Sequence, residues 1–210
     1  MNDGYIKKTI SAYNNNPQKY VDRTREMIPY HAIDKIMKYL KPRSLLLDAG
    51  CAYGRDSIIF KNKGFKVIGI DLSEELLKKA KEFCTNIEFK QMDVRRLDFQ
   101  DNYFDGIWCN ATLLHLKEED IKIALKEFYR VLKKNGVLCC SFKEGVGSGE
   151  KVESFSCVHG RFFCLQTKEN VEKFIKDVGL IKLETYIVNE QKIHGKDKRD
   201  LNWIFSFSKK

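Results

Sequence analysis

Three aspartates stand where a sheet would offer them to a ligand. Asp48 follows the apolar run Leu45-Leu46-Leu47, Asp71 ends Lys66-Val67-Ile68-Gly69-Ile70, and Asp93 ends Ile87-Glu88-Phe89-Lys90-Gln91-Met92. The first opens a turn of mostly small residues, Asp48-Ala49-Gly50-Cys51-Ala52-Tyr53-Gly54, ahead of a helix-like segment from Arg55 to Asn62. Small residues there let backbone N–H groups at the helix start approach a ligand without a side chain in the way. The turn departs from the three-glycine G-x-G-x-x-G dinucleotide fingerprint, because the glycine after Gly50 is Gly54. Asp71 lies about 20 residues beyond it, where a strand-end acid accepts two hydrogen bonds from a ribose diol. The competing reading is an acid that caps the helix beginning near Ser73.

Downstream, the buried-strand run Phe104-Asp105-Gly106-Ile107-Trp108-Cys109 ends in Asn110-Ala111, followed by Thr112-Leu113-Leu114-His115-Leu116. An imidazole at that strand's carboxyl end is either a base that accepts an acceptor's proton or a hydrogen-bonding wall of the site, and both readings stand.

The spacing D-x-G-x-A-x-G resembles motif I of class I S-adenosylmethionine-dependent methyltransferases, and Ala111-Thr112-Leu113-Leu114-His115 is similar to the segment at motif IV of that family. From Gly50 through Phe142 the chain resembles small bacterial methyltransferases of the type-11 or tellurite-resistance-like group. Gly160-Arg161-Phe162-Phe163 and Leu201-Asn202-Trp203-Ile204 resemble them more loosely. The resemblance implies S-adenosyl-L-methionine as cofactor, held by Asp48, Ala49, Gly50, Cys51, Gly54 and Arg55 in the turn, with Asp71 and Leu72 at the ribose. It places Asp93 as acceptor from the adenine amino group, the Val94 N–H on a ring nitrogen, and Asn110, Ala111 and His115 beside the transferred methyl. Related enzymes close a leading helix over the methionine part, which gives Tyr20 and Arg25 a cofactor role and Tyr13 a substrate role. Surface residues of a helix packed elsewhere are the alternative.

The implied fold is α/β: a Rossmann-like, seven-stranded, mostly parallel sheet in the order 3-2-1-4-5-7-6, with helices on both faces in three layers. The alternation of elements points the same way. Strands are expected at 44–50, 66–71, 87–93, 104–110, 137–142, 180–188 and 202–208. Helices are expected from Ser73 to Phe83, with Leu76, Leu77, Ala80 and Phe83 inward, from Glu118 to Lys134, and from Thr167 to Gly179. One domain spans 1–210: a helical lid (1–43), a cofactor core (44–142), a substrate-side loop (143–166), and a closing helix with an antiparallel strand pair (167–210). In the loop, Gly145, Gly147 and Gly149 predict flexibility. Arg161 is a candidate for an anionic acceptor, with Phe162 or Phe163 as a wall, against a salt bridge and a core aromatic. Cys157, His159 and Cys164 cluster there too, but three irregularly spaced ligands make no metal site.

The chain of 210 residues carries a formal charge of +9. That balance admits nucleic acid as a partner, yet Lys78, Lys79 and Lys81 fall on the solvated face of an amphipathic helix. No apolar run approaches the ~18 residues of a membrane span. Seven cysteines without a C-x-x-C pair point to reduced thiols. The expectation is a cytoplasmic monomer or homodimer that moves a methyl group in line onto an N, O or S atom of a small molecule. An RNA methyltransferase and a non-catalytic cofactor-binding protein are the alternatives.

Overall fold

The computed structural model describes residues 3–152 and 160–210. Three helices, α1 (Gly4–Asn14), α2 (Pro17–Thr24) and α3 (Tyr30–Tyr39), precede alternating strands and helices: β1 (Leu45–Ala49), α4 (Arg55–Asn62), β2 (Lys66–Asp71), α5 (Glu74–Phe83), β3 (Glu88–Gln91), β4 (Phe104–Cys109), α6 (Glu118–Val131) and β5 (Leu132–Lys143). A hairpin, β6 (Ser148–Lys151) with β7 (Arg161–Cys164), comes next. Then follow α7 (Lys168–Asp177), β8 (Ile181–Asn189), α8 (Glu190–His194) and β9 (Asn202–Lys209). The main sheet runs β3-β2-β1-β4-β5-β9-β8. Counted among its own seven strands this is the expected order 3-2-1-4-5-7-6. β9 is antiparallel between β5 and β8, and the other pairings are parallel.

Successive strand residues face opposite ways, so a sheet covered on both sides needs apolar residues at every position. Leu47, Ile107, Leu138 and Cys140 pack with Ile121, Leu125 and Phe128 of α6 and Val171 and Phe174 of α7. Leu46, Trp108, Val137 and Cys139 pack with Ile33 and Ile36 of α3, Phe60 of α4 and Leu77 of α5. The adjacent Cys139 and Cys140 thus enter different cores as small apolar groups.

Four expectations change. Helix α6 ends at Val131 rather than Lys134, because Leu132 already pairs with Phe104. Phe83 is 49% exposed rather than inward. The flexible stretch around Gly147 and Gly149 includes a paired strand, Ser148–Lys151 against Arg161–Cys164. The polar connection after Asn189 forms α8, whose first turn is capped by Asn189 Oδ1 accepting from Gln191 N–H at 2.9 Å.

Candidate functional site

The turn after β1 is fastened before any ligand arrives. Gly50 and Cys51 N–H both donate to Ile70 O, at 2.8 and 2.9 Å. Gly50 has φ 82°, and a Cβ there would stand 2.0 Å from Thr112 Oγ1, so glycine is required twice over. Gly54, with φ 78°, starts α4. Asp71 Oδ2 accepts from Ala52 N–H and Oδ1 from Ser73 N–H, each at 2.8 Å. One acceptor position per oxygen is left for a diol. Burial pushes the Asp71 carboxyl above the usual carboxylate range against the pull of these N–H groups.

At the other end of the turn two buried carboxyls are driven apart. Burial and the charge of Asp56 push Asp48 up, while Ser57 Oγ donates to Asp48 Oδ2 at 2.5 Å. Burial also works to raise Asp56, but Arg55 outweighs it through Nε at 2.7 Å from Oδ1. Trp108 Nε1 at 2.9 Å and Asn110 Nδ2 at 3.3 Å, both on Oδ2, add to that pull. Asp56 therefore holds the negative charge of the pair.

Asp93 lies two residues beyond β3, and Arg95 grips it. Its Oδ1 accepts from Arg95 N–H (2.9 Å) and Nε (3.2 Å), its Oδ2 from Nε (3.0 Å) and Nη2 (2.7 Å). The same guanidinium reaches Asp3 at 3.0 Å and Asp120 at 3.1 Å. An adenine amino group at Asp93 would share the carboxylate with Arg95.

His115 ends a single 3-10 turn, Leu113–His115. Its Nδ1 is 2.7 Å from Phe162 O, a pure acceptor, so Nδ1 carries the proton and Nε2 accepts the Tyr13 hydroxyl at 2.8 Å. Arg161 Nη1 in turn donates to Tyr13 Oη at 2.6 Å. Burial, then the charges of Arg161 and Lys143, push the imidazole down to about 3, so it is neutral near pH 7.

Two cavities meet at this relay, on the edge of the sheet where β1, β2 and β4 end. The smaller, about 110 Å³, is walled by Ile6 and Ile10 of α1, Asp71, Leu72, Met92, Asp93, Val94 and Leu116. The larger, about 470 Å³, runs past Asp48, Cys51, Arg55, Asp56, Lys143, Arg161 and Phe163 to Glu190 and Trp203. Tyr13, Tyr20, Gly50, Ala52, Asn110, Ala111 and His115 border both. Helix α2 is pinned over them, with Arg55 Nη1 donating to Thr24 O at 2.7 Å and Thr24 Oγ1 to Tyr53 Oη at 3.1 Å.

Several sequence candidates fall elsewhere. Arg25 is exposed at the end of α2 and outside both walls, since that helix turns Arg23 and Thr24 to the cavity instead. Phe162 packs on Tyr5, ring centroids 4.7 Å apart, and contributes only its carbonyl; its strand neighbour Phe163 faces the cavity. Ala49 and Gly54 support the turn from outside the walls. Cys157 and His159 lie outside the described residues, and Gln166 Nε2 donates to Cys164 Sγ at 3.1 Å. Sequence reasoning missed Asp56, Arg95 and Lys143. Lys143 had a signal, a lysine closing an apolar strand at the same edge as the acids. Arg95 and Asp56 showed only their near neighbours Asp93 and Arg55, because Asp3, Asp120, Trp108 and Asn110 reach them from distant segments.

Residues 46–136 match the family described as the methyltransferase domain. A putative methyltransferase of Bacillus subtilis, YqeM, is 37% identical over 123 residues, covering 56% of this chain and 50% of that protein. A malonyl-[acyl-carrier protein] O-methyltransferase of Hamiltonella defensa is 35% identical over 99 residues, covering 47% and 38%. This chain thus spans half or less of the length of the curated relatives first matched. Among solved structures, the 1,6-didemethyltoxoflavin-N1-methyltransferase of Burkholderia thailandensis, crystallised with S-adenosylhomocysteine, superposes with a TM-score of 0.74 at 21% identity. The match covers 96% of this chain and 84% of that one, and shows the shared fold. The segment 46–136 is accordingly similar to methyltransferase domains, and the whole fold is the one shared with S-adenosylmethionine-dependent methyltransferases. Among the described residues no helix is long and apolar enough to cross a membrane.

Proposed function

We propose that the protein transfers a methyl group by in-line displacement from S-adenosylmethionine to an N, O or S atom of a small acceptor, as a cytoplasmic monomer or homodimer. The observation that carries this is the pair of adjoining cavities meeting at Gly50, Asn110, Ala111 and His115. The smaller has the apolar walls and the oriented Asp71 carboxylate that suit an adenosine. The larger begins with Asp48, Asp56, Arg55 and Asn110, a charged set that suits an amino-acid end, and continues into space for an acceptor.

A sulfonium methyl is activated already, so the chain's task is alignment and exclusion of water. Tyr13, Tyr20 and His115 wall the place where the two cavities join. The neutral His115 Nε2 holds the Tyr13 hydroxyl where the cavities join, and its lowered pKa makes it a wall of the site rather than a base. The basic charge favours a second reading, with RNA as acceptor. Methyl-labelled cofactor incubated with a small-metabolite extract and, in parallel, with total RNA separates them. Label in the metabolite fraction supports the proposal, label in RNA alone replaces it, and label in neither leaves a non-catalytic binding protein.

A further inference from the structure

Nearly all of the chain's net charge sits on one edge of the sheet, the edge away from the cavities. Strands β1, β2, β4 and β5 begin there and β9 ends there. The five segments that make this edge, residues 41–45, 61–66, 103–105, 132–136 and 208–210, carry nine Lys and Arg against one acid, Asp105. The rest of the chain is balanced to within one charge of its total of +9.

Contacts join the segments into a continuous row. Lys66 N–H donates to Ser44 O at 3.0 Å, Leu45 N–H to Asp105 Oδ2 at 2.8 Å, Lys133 Nζ to Asp105 Oδ1 at 2.7 Å, and Lys210 Nζ to Leu132 O at 2.9 Å. Lys41, Arg43, Lys61, Lys63, Lys66 and Lys134 are exposed along it. The one acid in the row is thus taken up by Lys133 and a backbone N–H. At the flanks Glu88 pairs with Lys90 at 3.0 Å and Asp101 with Arg130 at 2.8 Å.

Like charges gathered on one edge repel, and a polyanion laid along them offsets that repulsion. Neighbouring strands lie ~4.8 Å apart, so the row from β2 to β9 is about 19 Å long and meets several phosphates of one strand. Two exposed rings accompany the charges: Tyr39, 42% exposed, two residues before Lys41, and Tyr103, 38% exposed, two before Asp105. Cations for phosphates beside rings for bases suit a single-stranded nucleic acid, whereas a membrane or an acidic protein offers the rings no base to stack on.

We propose that this edge binds single-stranded nucleic acid, as a surface separate from the methyl-transfer site. The five residues of β1, about 16 Å of strand, stand between the row and the turn at Gly50, so the bound strand is held without being offered to the cavities. The edge serves this role whatever reaction the cavities support.

The test is fluorescence anisotropy of a labelled 20-nucleotide oligouridylate with the full chain, repeated with the oligothymidylate of the same length. At least one should bind at 50 mM salt and weaken about a hundredfold by 200 mM, as about five phosphate contacts require. The triple variant Lys61→Glu, Lys63→Glu, Lys66→Glu, folded by circular dichroism, should lose tenfold or more. Tyr39→Ala and Tyr103→Ala should each weaken the oligonucleotide about fivefold to a hundredfold and leave inorganic polyphosphate, which has no bases, unaffected. Saturating S-adenosylhomocysteine should leave oligonucleotide affinity within twofold. Absence of binding to both oligonucleotides overturns the proposal, including where phosphatidylserine vesicles bind instead. So does undiminished affinity in the lysine variant, affinity unchanged in both tyrosine variants, or displacement by S-adenosylhomocysteine. The wild-type measurements decide the matter even if a variant fails to fold.

Discussion

The Asp71 carboxylate and the His115 imidazole are both fixed by backbone atoms, one by two N–H donors and the other by the Phe162 carbonyl. Backbone partners leave side-chain conformation little freedom, so each group presents one chemical face to its cavity. For His115 the consequence is a pH dependence. Its folded-state pKa lies below the ordinary 6.5, at about 3. Between those values the unfolded chain binds a proton that the folded chain does not, so stability falls as pH drops through that window. Replacing His115 by Gln removes this contribution, and the difference in denaturation midpoint between wild type and variant should shrink from pH 8 to pH 5. A constant difference would show that the imidazole titrates normally. At Gly50 the positive φ and the Thr112 hydroxyl act together. Gly50→Ala should cost about 2–4 kcal/mol in urea denaturation, from left-handed strain plus overpacking, and an effect under about 0.5 kcal/mol would contradict the geometry.

Helix α1 behaves as a strap across the smaller cavity, tied at both ends. Near its start, Arg95 joins Asp3 to Asp93 and Asp120, and the Tyr5 hydroxyl donates to Asp120. At its end, Asn14 Oδ1 accepts from Ser73 Oγ, which also caps α5. In the middle, Thr9 Oγ1 accepts the Phe162 N–H at 3.0 Å. Arg95→Met leaves three carboxylates, Asp3, Asp93 and Asp120, without their shared cation, a change of about 3 kcal/mol. Amide exchange in α1 should accelerate accordingly, and S-adenosylhomocysteine should dissociate faster; unchanged exchange would remove the strap from the account. These ties explain what the sequence revealed and what it hid. Strand ends, the small-residue turn and the helix faces are written in local periodicity, so Asp48, Gly50 and Asp71 were legible, while the strand order came from the resemblance to class I methyltransferases. The Arg95 contacts to Asp3 and Asp120, the Tyr13–His115–Arg161 relay and the exchange of Phe162 for Phe163 depend on register between segments about 25 to 150 residues apart, which one sequence does not display. Arg25 misled because one step around a helix separates a wall from solvent.

Across the whole molecule, the two cores fix the sheet while the site hangs on its carboxyl edge, as ligands do in open α/β sheets. Binding therefore selects the folded state, and S-adenosylhomocysteine at 100 times its Kd should stabilise the protein by about 2.7 kcal/mol, read as a rise in Tm. The formal charge of +9 predicts that any RNA affinity falls steeply with salt whereas cofactor affinity barely changes. The most direct measurement is calorimetric titration of S-adenosylhomocysteine into wild type and Asp71→Ala. Saturable one-site binding by the wild type, weakened by about 2–3 kcal/mol in the variant, is the predicted result. No heat of binding in the wild type, or equal affinity in both proteins, would contradict an adenosyl site on this edge.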